Sequence, residues 1–436
     1  MKKIIYTTIV LVGLLFIAGC NPEDDTKSLW GTDSLLPDSA QHTITNLEIV
    51  NTGAEYIQGV TTIKVTGSNF AGNINNMKVW CSLAKAYLAS IDNDNYTSNQ
   101  LQFKLPLLYD PLKDSEKIDT LTVKIEKFGV PTFATYKING AIRGILVPIK
   151  FPDIDKPVAS ITIDKQDNIF FCITQSNVSK GIFKFDKNTG EYAEFAKFSG
   201  QFTGLKMGPG DTMYAAGLNY LVSTKDNKIN QIKSISTITD FDFDEGLNIW
   251  TITKTAKKIV LLTRASKYKT NVDFTINDVD IYDMRSCKYI KLAGKEYLYI
   301  GGADKVGIEK VVRFEINNGT LNTTPEIMFS SAKGANQVRV NAIALSKNGD
   351  IYIGSNNTVP LVWVKPDKTF ESMLALNKLT GTCFVEPNIV SIAGGGADKK
   401  FIYLIRATPD GKTYKQTIFK IYTGIETAPY YGRGDI

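Results

Sequence analysis

The most regular feature of the chain is a repeated alternation of apolar and polar residues from about residue 141 to the C terminus. Six segments share two apolar residues flanking a variable one, a turn rich in Gly, Asp or Asn, and an aliphatic-aromatic pair. They begin at Ile161, Leu205, Phe241, Ile290, Ile343 and Val390. A third apolar stretch follows most of them, as in GIFKFD. Repeats of three or four short strands indicate propeller blades, so residues 141–436 are predicted to form six blades.

The aromatic residue that ends each segment recurs at one position. We expect these rings to pack between blades as core rather than to form a ligand platform. They are Phe170, Tyr214, Trp250, Tyr299, Tyr352 and Tyr403.

The third segment contains three aspartates at alternate positions, Asp240, Asp242 and Asp244. Alternate residues of a strand point the same way, so a carboxylate ladder for a metal is conceivable. Calcium, however, needs six or more converging oxygens. In the repeat alignment Asp244 falls in the turn and Asp242 matches Thr162, Lys206, Lys291 and Ala344. We therefore expect three separate structural positions and no metal site, with Asp240 beside the channel.

Residues 44–140 form a separate strand-rich segment. Short alternating stretches such as TTIKVTGSNF, MKVWCSL and DTLTVKIEKFG are separated by turn residues. About seven strands in 100 residues predict a small sandwich. Its VTGSNF and LQFKLP sequences resemble the strand signatures of the IPT/TIG family of immunoglobulin-like domains, which implies a spacer or interaction module.

The repeats from residue 141 resemble NHL/SMP-30-like propellers, in which a turn such as DKQDNIF joins the innermost strand to the second. The sequence as a whole thus predicts an all-β protein: a small immunoglobulin-like β-sandwich followed by a six-bladed β-propeller.

The first nineteen residues read as a signal peptide, with a basic start, MKK, and a short apolar run. The IAGC sequence resembles the lipobox of bacterial lipoproteins, which implies that Cys20 is lipidated. The following NPEDD resembles the surface-export signal of Bacteroidota lipoproteins. Residues 20–43, rich in Asp, Ser, Thr and Pro, are predicted to be a flexible tether. Together these features imply an outer-membrane protein, lipid-anchored and exposed on the cell surface.

Composition removes several kinds of site. The net charge of +6 is spread along the chain without a Lys/Arg run, which argues against a nucleic-acid partner. The single histidine, His42, falls in the predicted tether, where it cannot serve the propeller. Cys81, Cys172, Cys287 and Cys383 share no metal-ligand spacing and are expected to be buried thiols, with one disulfide left open. We expect no cofactor.

Ligands of propellers usually meet the loops around the channel mouth, and the repeat register identifies candidate rim residues. Amides, guanidinium groups and aromatic rings suit a polar polymer such as a glycan. Tyr220 is expected to offer a free ring and a wet hydroxyl group. The candidates are Gln175, Asn219, Tyr220, Asp240, Arg285, Arg339, Asn341, Asn356 and Arg406.

Three function classes remain. The combination of a lipoprotein signal sequence, an IPT/TIG-like spacer and a propeller resembles that of accessory lipoproteins, which work beside a TonB-dependent transporter and its SusD-like partner. That resemblance implies non-catalytic binding of a glycan or peptide. The alternative is a propeller-fold polysaccharide lyase or glycoside hydrolase using a carboxylate pair, although no catalytic residue is identifiable. A scaffold that contacts only protein is the third. The terminal Arg433-Gly434-Asp435 matches an integrin-binding tripeptide, but a closing strand or tail is the favoured interpretation.

Overall fold

A computed structural model of the chain divides into two compact units, with the main boundary between Gly144 and Ile145. Cys20, Gln175 and Cys383 lie outside the residues that the structure describes. The described residues are 40–50, 56–57, 61–82, 86–106, 117–143, 146–150, 157–173, 181–186, 189, 191–198, 200–225, 228–254, 257–334, 337–356, 360–372, 388–397, 399–410 and 413–435.

The first unit is a two-sheet sandwich. One sheet has the order β1-β3-β6 and the other β2-β8-β7-β4-β5, and their inner faces share a core that includes Val65, Phe103 and Val123. Alternating burial along strands such as β3 is the pattern that the sequence predicts. The strands are β1 (Thr43–Ile49), β2 (Tyr56–Ile57), β3 (Thr62–Ser68), β4 (Met77–Ser82), β5 (Ala86–Ala89), β6 (Gln100–Lys104), β7 (Lys117–Lys127) and β8 (Ala134–Arg143).

His42 belongs to this sandwich, which corrects its assignment to the tether. Its side chain is buried, and Nε2 donates a hydrogen bond to the carbonyl oxygen of Ile125 at 2.7 Å. Just before it, the carbonyl oxygen of Ala40 accepts a hydrogen bond from Lys127 Nζ at 2.9 Å. The sequence pattern missed this because a polar segment can be held by hydrogen bonds to a distant strand without any apolar period.

The second unit contains, in its described part, six antiparallel sheets. We call them blades 1 to 6: β10–β13, β14–β17, β18–β21, β22–β26, β27–β30, and β31–β33 together with β9. The strands of the first three blades, and β9, are β9 (Leu146–Lys150), β10 (Val158–Ile163), β11 (Ile169–Ile173), β12 (Ile182–Asp186), β13 (Glu191–Ala196), β14 (Phe202–Gly208), β15 (Thr212–Gly217), β16 (Leu221–Lys225), β17 (Lys228–Lys233), β18 (Ile238–Phe243), β19 (Ile249–Thr253), β20 (Lys258–Leu262) and β21 (Asn271–Thr275).

The remaining strands complete blades 4 to 6, and the helices of the described chain are short 3₁₀ turns. The strands are β22 (Asp283–Leu292), β23 (Lys295–Ala303), β24 (Glu309–Asn317), β25 (Thr320–Leu321), β26 (Glu326–Ser331), β27 (Ala342–Leu345), β28 (Ile351–Gly354), β29 (Leu361–Val364), β30 (Phe370–Ser372), β31 (Ile389–Gly394), β32 (Phe401–Asp410) and β33 (Thr413–Tyr422). The 3₁₀ helices are Ile74–Asn76, Asn93–Asn95, Pro209–Asp211, Arg264–Ser266 and Tyr431–Arg433. No helix in these ranges has the length and apolar character needed to cross a membrane.

The blades form a closed ring around a channel. The innermost strands β10, β14, β18, β22, β27 and β31 contact one another in succession, and β31 also contacts β10. Blade 6 is completed by β9, from the start of the unit, which pairs with β33 near its end. The prediction of an all-β propeller is confirmed by this strand pairing.

The recurring aromatic residues are buried at equivalent positions in all six blades, which confirms their interpretation as core. Each pairs across the first hairpin with one residue of the innermost strand, as Trp250 does with Asp242. In blade 4, however, Tyr299 pairs with Lys288 and not with the aligned Lys291. That hairpin is three residues longer than the one in blade 3, so a gapless alignment shifts its register. Lys291 is exposed and forms an ion pair with Glu245 at 2.6 Å.

Cys81, Cys172 and Cys287 are free and buried, as expected. Burial raises the pKa of Cys81 and of Cys172 to about 12, so these thiols stay protonated and pack as small apolar groups.

The C-terminal residues cover the end of the channel at which the first hairpins turn. The Tyr430 hydroxyl group donates to the carbonyl oxygen of Met207 at 2.6 Å. A Cβ atom on Gly432 would lie 2.5 Å from that same oxygen, so the close approach requires glycine.

Arg433 fixes this segment. The side chain is buried and donates to the carbonyl oxygens of Ile163 (3.1 Å), Gly394 (3.2 Å) and Gly395 (2.6 Å), and Nε donates to Asp435 (3.0 Å). Arg433 and Asp435 therefore join blades 1 and 6 from below. This burial agrees with a closing segment and leaves the tripeptide inaccessible to an integrin.

Replacing Arg433 with Ala is expected to lower the free energy of unfolding by about 3 kcal/mol or more, because a buried carboxylate and several carbonyl oxygens lose their donor. Thermal and urea melts would measure the change. Arg339→Ala removes an exposed arginine of the same unit and serves as the control. Equal stability of the two variants would contradict a closing role for Arg433.

Candidate functional site

The innermost strands present two rings of side chains to the channel. The inner ring consists of the residues that pair with the recurring aromatics: Thr162, Lys206, Asp242, Lys288, Ala344 and Ala393. The upper ring lies two residues earlier on each strand, on the same face and nearer the mouth. It consists of Ser160, Gly204, Asp240, Ser286, Ala342 and Ser391. Neither ring contains a large apolar side chain.

The upper ring ties neighbouring blades together. Ser160 Oγ accepts a hydrogen bond from the backbone N–H of Leu205 at 3.2 Å. Asp240 Oδ2 does the same for Cys287 at 3.0 Å. Ser286 and Ser391 accept equivalent hydrogen bonds from the backbone N–H groups of Ile343 in blade 5 and Ile161 in blade 1. Asp240 is therefore committed to a blade junction, although the sequence made it a free rim candidate.

Four charged residues of blades 2 to 4 meet inside the channel. Lys206 Nζ lies 3.6 Å from Asp240 Oδ1, and both residues are buried. Asp242 is also buried; its Oδ2 accepts from the Tyr289 N–H at 2.9 Å, and its Oδ1 has no hydrogen-bond partner among the described residues. Lys288 forms no ion pair with a described carboxylate, and its amine lies beside that of Lys206.

The two lysines respond oppositely to this environment. Burial, followed by repulsion from Lys206, lowers the pKa of Lys288 to about 8. Burial opposes the charge of Lys206 as well, but attraction to Asp240 and Asp242 raises its pKa. Burial also raises the pKa of Asp242. Lys206 therefore keeps its proton at neutral pH, and Lys288 is the lysine of the two that loses its proton more easily.

A cavity lies between this charged cluster and the C-terminal segment. Its walls include Lys206, Asp242 and Lys288 on one side and Ala344 and Ala393 on the other, and Thr427 to Tyr430 and Arg433 close it below. The space open to the centres of water molecules is about 50 Å³. A volume of that size holds a few waters or one small polar molecule.

The mouth of the channel is formed where the innermost strands begin, and polar side chains tie the blades there as well. Thr203 Oγ1 donates to the carbonyl oxygen of Ile238 at 2.7 Å, and Thr239 Oγ1 donates to that of Met284 at 2.9 Å. Both residues sit at β-bulges of the innermost strands, where an extra residue re-aims the side chain.

Arg285 and Asn341, two predicted rim residues, occupy the same structural role in blades 4 and 5. Arg285 Nη1 donates to the carbonyl oxygen of Val340 at 2.9 Å and forms an ion pair with Glu309 at 2.7 Å. Asn341 Nδ2 donates to the carbonyl oxygen of Ile389 at 3.1 Å. Their polar groups are partly or wholly used in holding blades together.

Tyr220 differs from its expectation of a free ring and a wet hydroxyl group. The hydroxyl donates to the carbonyl oxygen of Gln201 at 3.0 Å, and the ring packs edge-on against Phe198 and Phe202. Burial raises its pKa to about 12. Tyr220 is thus part of the blade 2 core, because small neighbours such as Gly217 let the ring fold inward. The adjacent Asn219 is exposed.

Arg339, Asn356 and Arg406 are the remaining described candidates, and contacts bring them to one sector. Ala342 pairs with Gly354, so Arg339 and Asn356 lie at the same end of the β27–β28 hairpin. Ser355 O accepts from the Ile389 N–H at 3.0 Å, and Ile389 pairs with Arg406 in blade 6. Arg339, Asn356 and Arg406, with Arg285 and Asn341, form what we call the mouth arc.

Two members of the mouth arc have unused polar capacity. Arg339 is exposed and makes no hydrogen bond or ion pair with the described residues. The Asn356 Oδ1 atom is buried and has no partner among them. Arg406 is half-buried, with its guanidinium group 5.8 Å from the centroid of the Phe419 ring. Arg339, whose side chain is exposed, is therefore the member of the arc best placed to meet a ligand.

Asp244 occupies the turn position predicted for it. Its Oδ1 accepts from the Asn248 N–H at 2.8 Å and its Oδ2 from Trp250 Nε1 at 3.1 Å. Asp240 and Asp242 share a face but contact lysines and backbone N–H groups. Across the described ranges, no three His, Cys, Asp or Glu side chains are grouped to hold a metal ion.

No protein-family model and no curated protein matches the chain. Solved structures resemble it at low identity. A protein of unknown function from Bacteroides thetaiotaomicron is 13% identical over 88% of this chain and 100% of its own, with a TM-score of 0.44. An auxiliary nutrient binding protein from Bacteroides ovatus is 12% identical over 88% and 100%, with a TM-score of 0.46. A luciferin-regenerating enzyme is 12% identical over 64% and 96%, with a TM-score of 0.48. The fold assignment rests on strand pairing and not on these likenesses.

The stability of the protein is expected to rise with pH through the titration of Lys288. Its pKa is about 8 in the folded protein and 10.5 ordinarily, so between these values the unfolded chain binds the proton more tightly. Stability therefore rises from about pH 8 to 10.5, by at most about 1.4 kcal/mol per pH unit. Lys206, Asp240 and Asp242 surround the amine, Tyr430 lines the same cavity, and none of the four is replaced in the comparison variants.

Urea melts across this pH range would measure the effect as a difference between the unaltered protein and Lys288→Met, which lacks the group. Lys291→Met, on the exposed part of the same strand, is the control and should keep the rise. An identical pH slope in all three proteins would contradict the assignment.

Proposed function

We propose that the protein is a non-catalytic binding protein that captures a polar polymer, a glycan or else a peptide, at the mouth of its propeller. The observation that carries this proposal is the unused polar capacity of the mouth arc, the exposed side chain of Arg339, with the buried, unpartnered carbonyl oxygen of Asn356 in the same sector. A guanidinium group offers five planar donors, and an amide offers both donors and an acceptor. Sugar hydroxyl groups and peptide groups meet these needs equally well.

The arrangement of the arc favours binding over catalysis. Two of its other members, Arg285 and Asn341, hold the blade junctions. The two carboxylates beside Arg285, Asp283 and Glu309, each form an ion pair with it at 2.7 Å, and Glu309 also accepts from the Val340 N–H. A glycosidase needs two carboxyl groups facing the substrate at a set separation. The mouth arc instead offers donors and amides, which recognise a polymer without cleaving it. A lyase or hydrolase remains the second candidate.

The cellular setting belongs to the same proposal. The lipobox-like IAGC, the acidic stretch behind Cys20 and an IPT/TIG-like spacer support a lipid-anchored protein on the outer face of the outer membrane, beside a TonB-dependent transporter and a SusD-like partner. The name of the Bacteroides ovatus protein, an auxiliary nutrient binding protein, describes a comparable role for that protein alone. Weak binding by a few groups would gain from avidity beside such a transporter.

The double variant Arg339→Ala, Asn356→Ala is expected to weaken binding of the polymer by about 2 kcal/mol, roughly 30-fold, and to leave the melting temperature almost unchanged. Calorimetric titration against a panel of neutral glycans, acidic glycans and peptides would measure the change. Lys228→Ala removes an exposed charge from the outer strand of blade 2 and should bind normally.

Three outcomes would overturn the proposal. Unchanged affinity in the double variant would place the ligand elsewhere. Degradation of a panel member would favour the enzyme. Failure to bind any member, together with co-purification of a transporter complex, would favour a scaffold.

The membrane address has its own test. Replacing Cys20 with Ala is expected to leave the precursor without lipid and to release it from the membrane fraction, because lipid chains are the proposed anchor. Fractionation with radiolabelled palmitate would follow both properties. Retention of the unlabelled variant in the membrane would reject the lipoprotein assignment without affecting the binding proposal.

A further inference from the structure

The channel cavity has polar groups that neither the fold nor the mouth arc uses. Every polar side chain of the upper ring has a hydrogen-bond partner on the backbone of a neighbouring blade. Some polar groups of the inner ring have no such partner. Asp242 Oδ1 is buried without a partner in the described structure. The Lys206 amine lies 3.6 Å from Asp240 Oδ1, beyond hydrogen-bond distance, and beside the amine of Lys288. Lys206, Lys288 and Asp242 therefore line a cavity of about 50 Å³ while the carboxylate of Asp242 keeps one unpartnered oxygen.

These groups would be costly if the cavity had no other occupant. Placing two amines side by side in a buried space is unfavourable, and an unpartnered carboxylate oxygen adds a desolvation cost. The structural ties between blades do not need them, because Ser160, Ser286 and Ser391 make equivalent junctions without any charge. An occupant that accepts hydrogen bonds from the lysines and donates one to Asp242 would satisfy all of them.

The walls limit what that occupant can be. Opposite the lysines, Ala344 and Ala393 are small and apolar, and Thr162 adds one hydroxyl group. At roughly 10–15 Å³ for each water-sized group, the cavity holds about three to five such groups. The upper ring above it is made of serine, glycine, alanine and Asp240, all of which have short side chains.

We propose that this cavity binds a small carboxylate that carries a hydrogen-bond donor beside its carboxyl group, a 2-hydroxy or 2-amino acid of two carbons. The carboxylate accepts hydrogen bonds from Lys206 and Lys288, and the neighbouring hydroxyl or ammonium group donates to Asp242 Oδ1. The lowered pKa of Lys288 agrees with a site in which an anion is needed to hold its proton. This site is separate from the mouth arc and does not rest on the proposed function.

Calorimetric titration and thermal melts with glycolate, glycine, acetate and methylamine test this proposal. Glycolate or glycine is expected to bind and to raise the melting temperature. Acetate, which lacks the donor, should bind about 10-fold more weakly, and methylamine, which lacks the carboxylate, should not bind.

Two variants identify the site. Lys288→Met and Asp242→Asn keep the approximate shape of each side chain and should each lower affinity at least about 10-fold. In the Asp242→Asn variant the amide oxygen can still accept from the Tyr289 N–H, so this variant is expected to fold. Lys291→Met, three residues along the same strand and exposed, is the matched control and should bind normally.

Two results would overturn the proposal: none of the four probes binds the unaltered protein, or both cavity variants bind glycolate or glycine with normal affinity. A crystal structure of the unaltered protein grown with glycolate decides the matter if a variant fails to fold. Density for glycolate on Lys288 and Asp242 would support the site, and water alone would reject it.

Discussion

Closure of the ring is the constraint on which the rest of the second unit depends. In an innermost strand, half of the backbone N–H groups face the channel and have no further strand to pair with. Ser160, Ser286, Ser391 and Asp240 supply acceptors to such groups on the next blade. The first strand and the last residues of this unit complete the ring, since β9 joins blade 6 and Arg433 contacts blades 1 and 6 from below. Polar side chains in the channel are therefore required by architecture before any ligand is considered.

This requirement divides the polar side chains of the channel and its mouth into those that join blades and those that are free to bind a ligand. Arg285, Asn341 and Asp240 look like ligand-binding residues by type, yet each has a partner across a blade junction. Arg339 at the mouth forms no such contact in the described structure, and the Asn356 Oδ1 and Asp242 Oδ1 atoms have no hydrogen-bond partner there. A residue type alone does not identify a site; unused hydrogen-bonding capacity beside open space does.

The sequence predicted what depends on local pattern and missed what depends on distant contacts. Period-2 alternation with turn residues predicts the strands, the hairpins and the turn role of Asp244, because each is decided within about ten residues. The strand register of blade 4 was predicted wrongly, because its longer hairpin keeps the same apolar pattern but places Lys288, and not Lys291, opposite Tyr299. The contacts of His42, Tyr220 and Arg433 could not be predicted. Their hydrogen-bond partners, Ile125, Gln201 and Gly395, lie far from them along the chain, outside the range of a local pattern.

The two proposed sites should respond differently to substitution, and the difference follows from their surroundings. Arg339 is exposed on a loop, so its replacement changes contacts with ligand and little else, and the polymer specificity of the mouth can vary at small cost in stability. In the cavity, every change alters a buried electrostatic balance. Removing Lys288 relieves repulsion on Lys206, whereas removing Lys206 would take away the cation that lies 3.6 Å from Asp240. Mouth specificity can therefore vary freely, whereas the cavity charges can change only together.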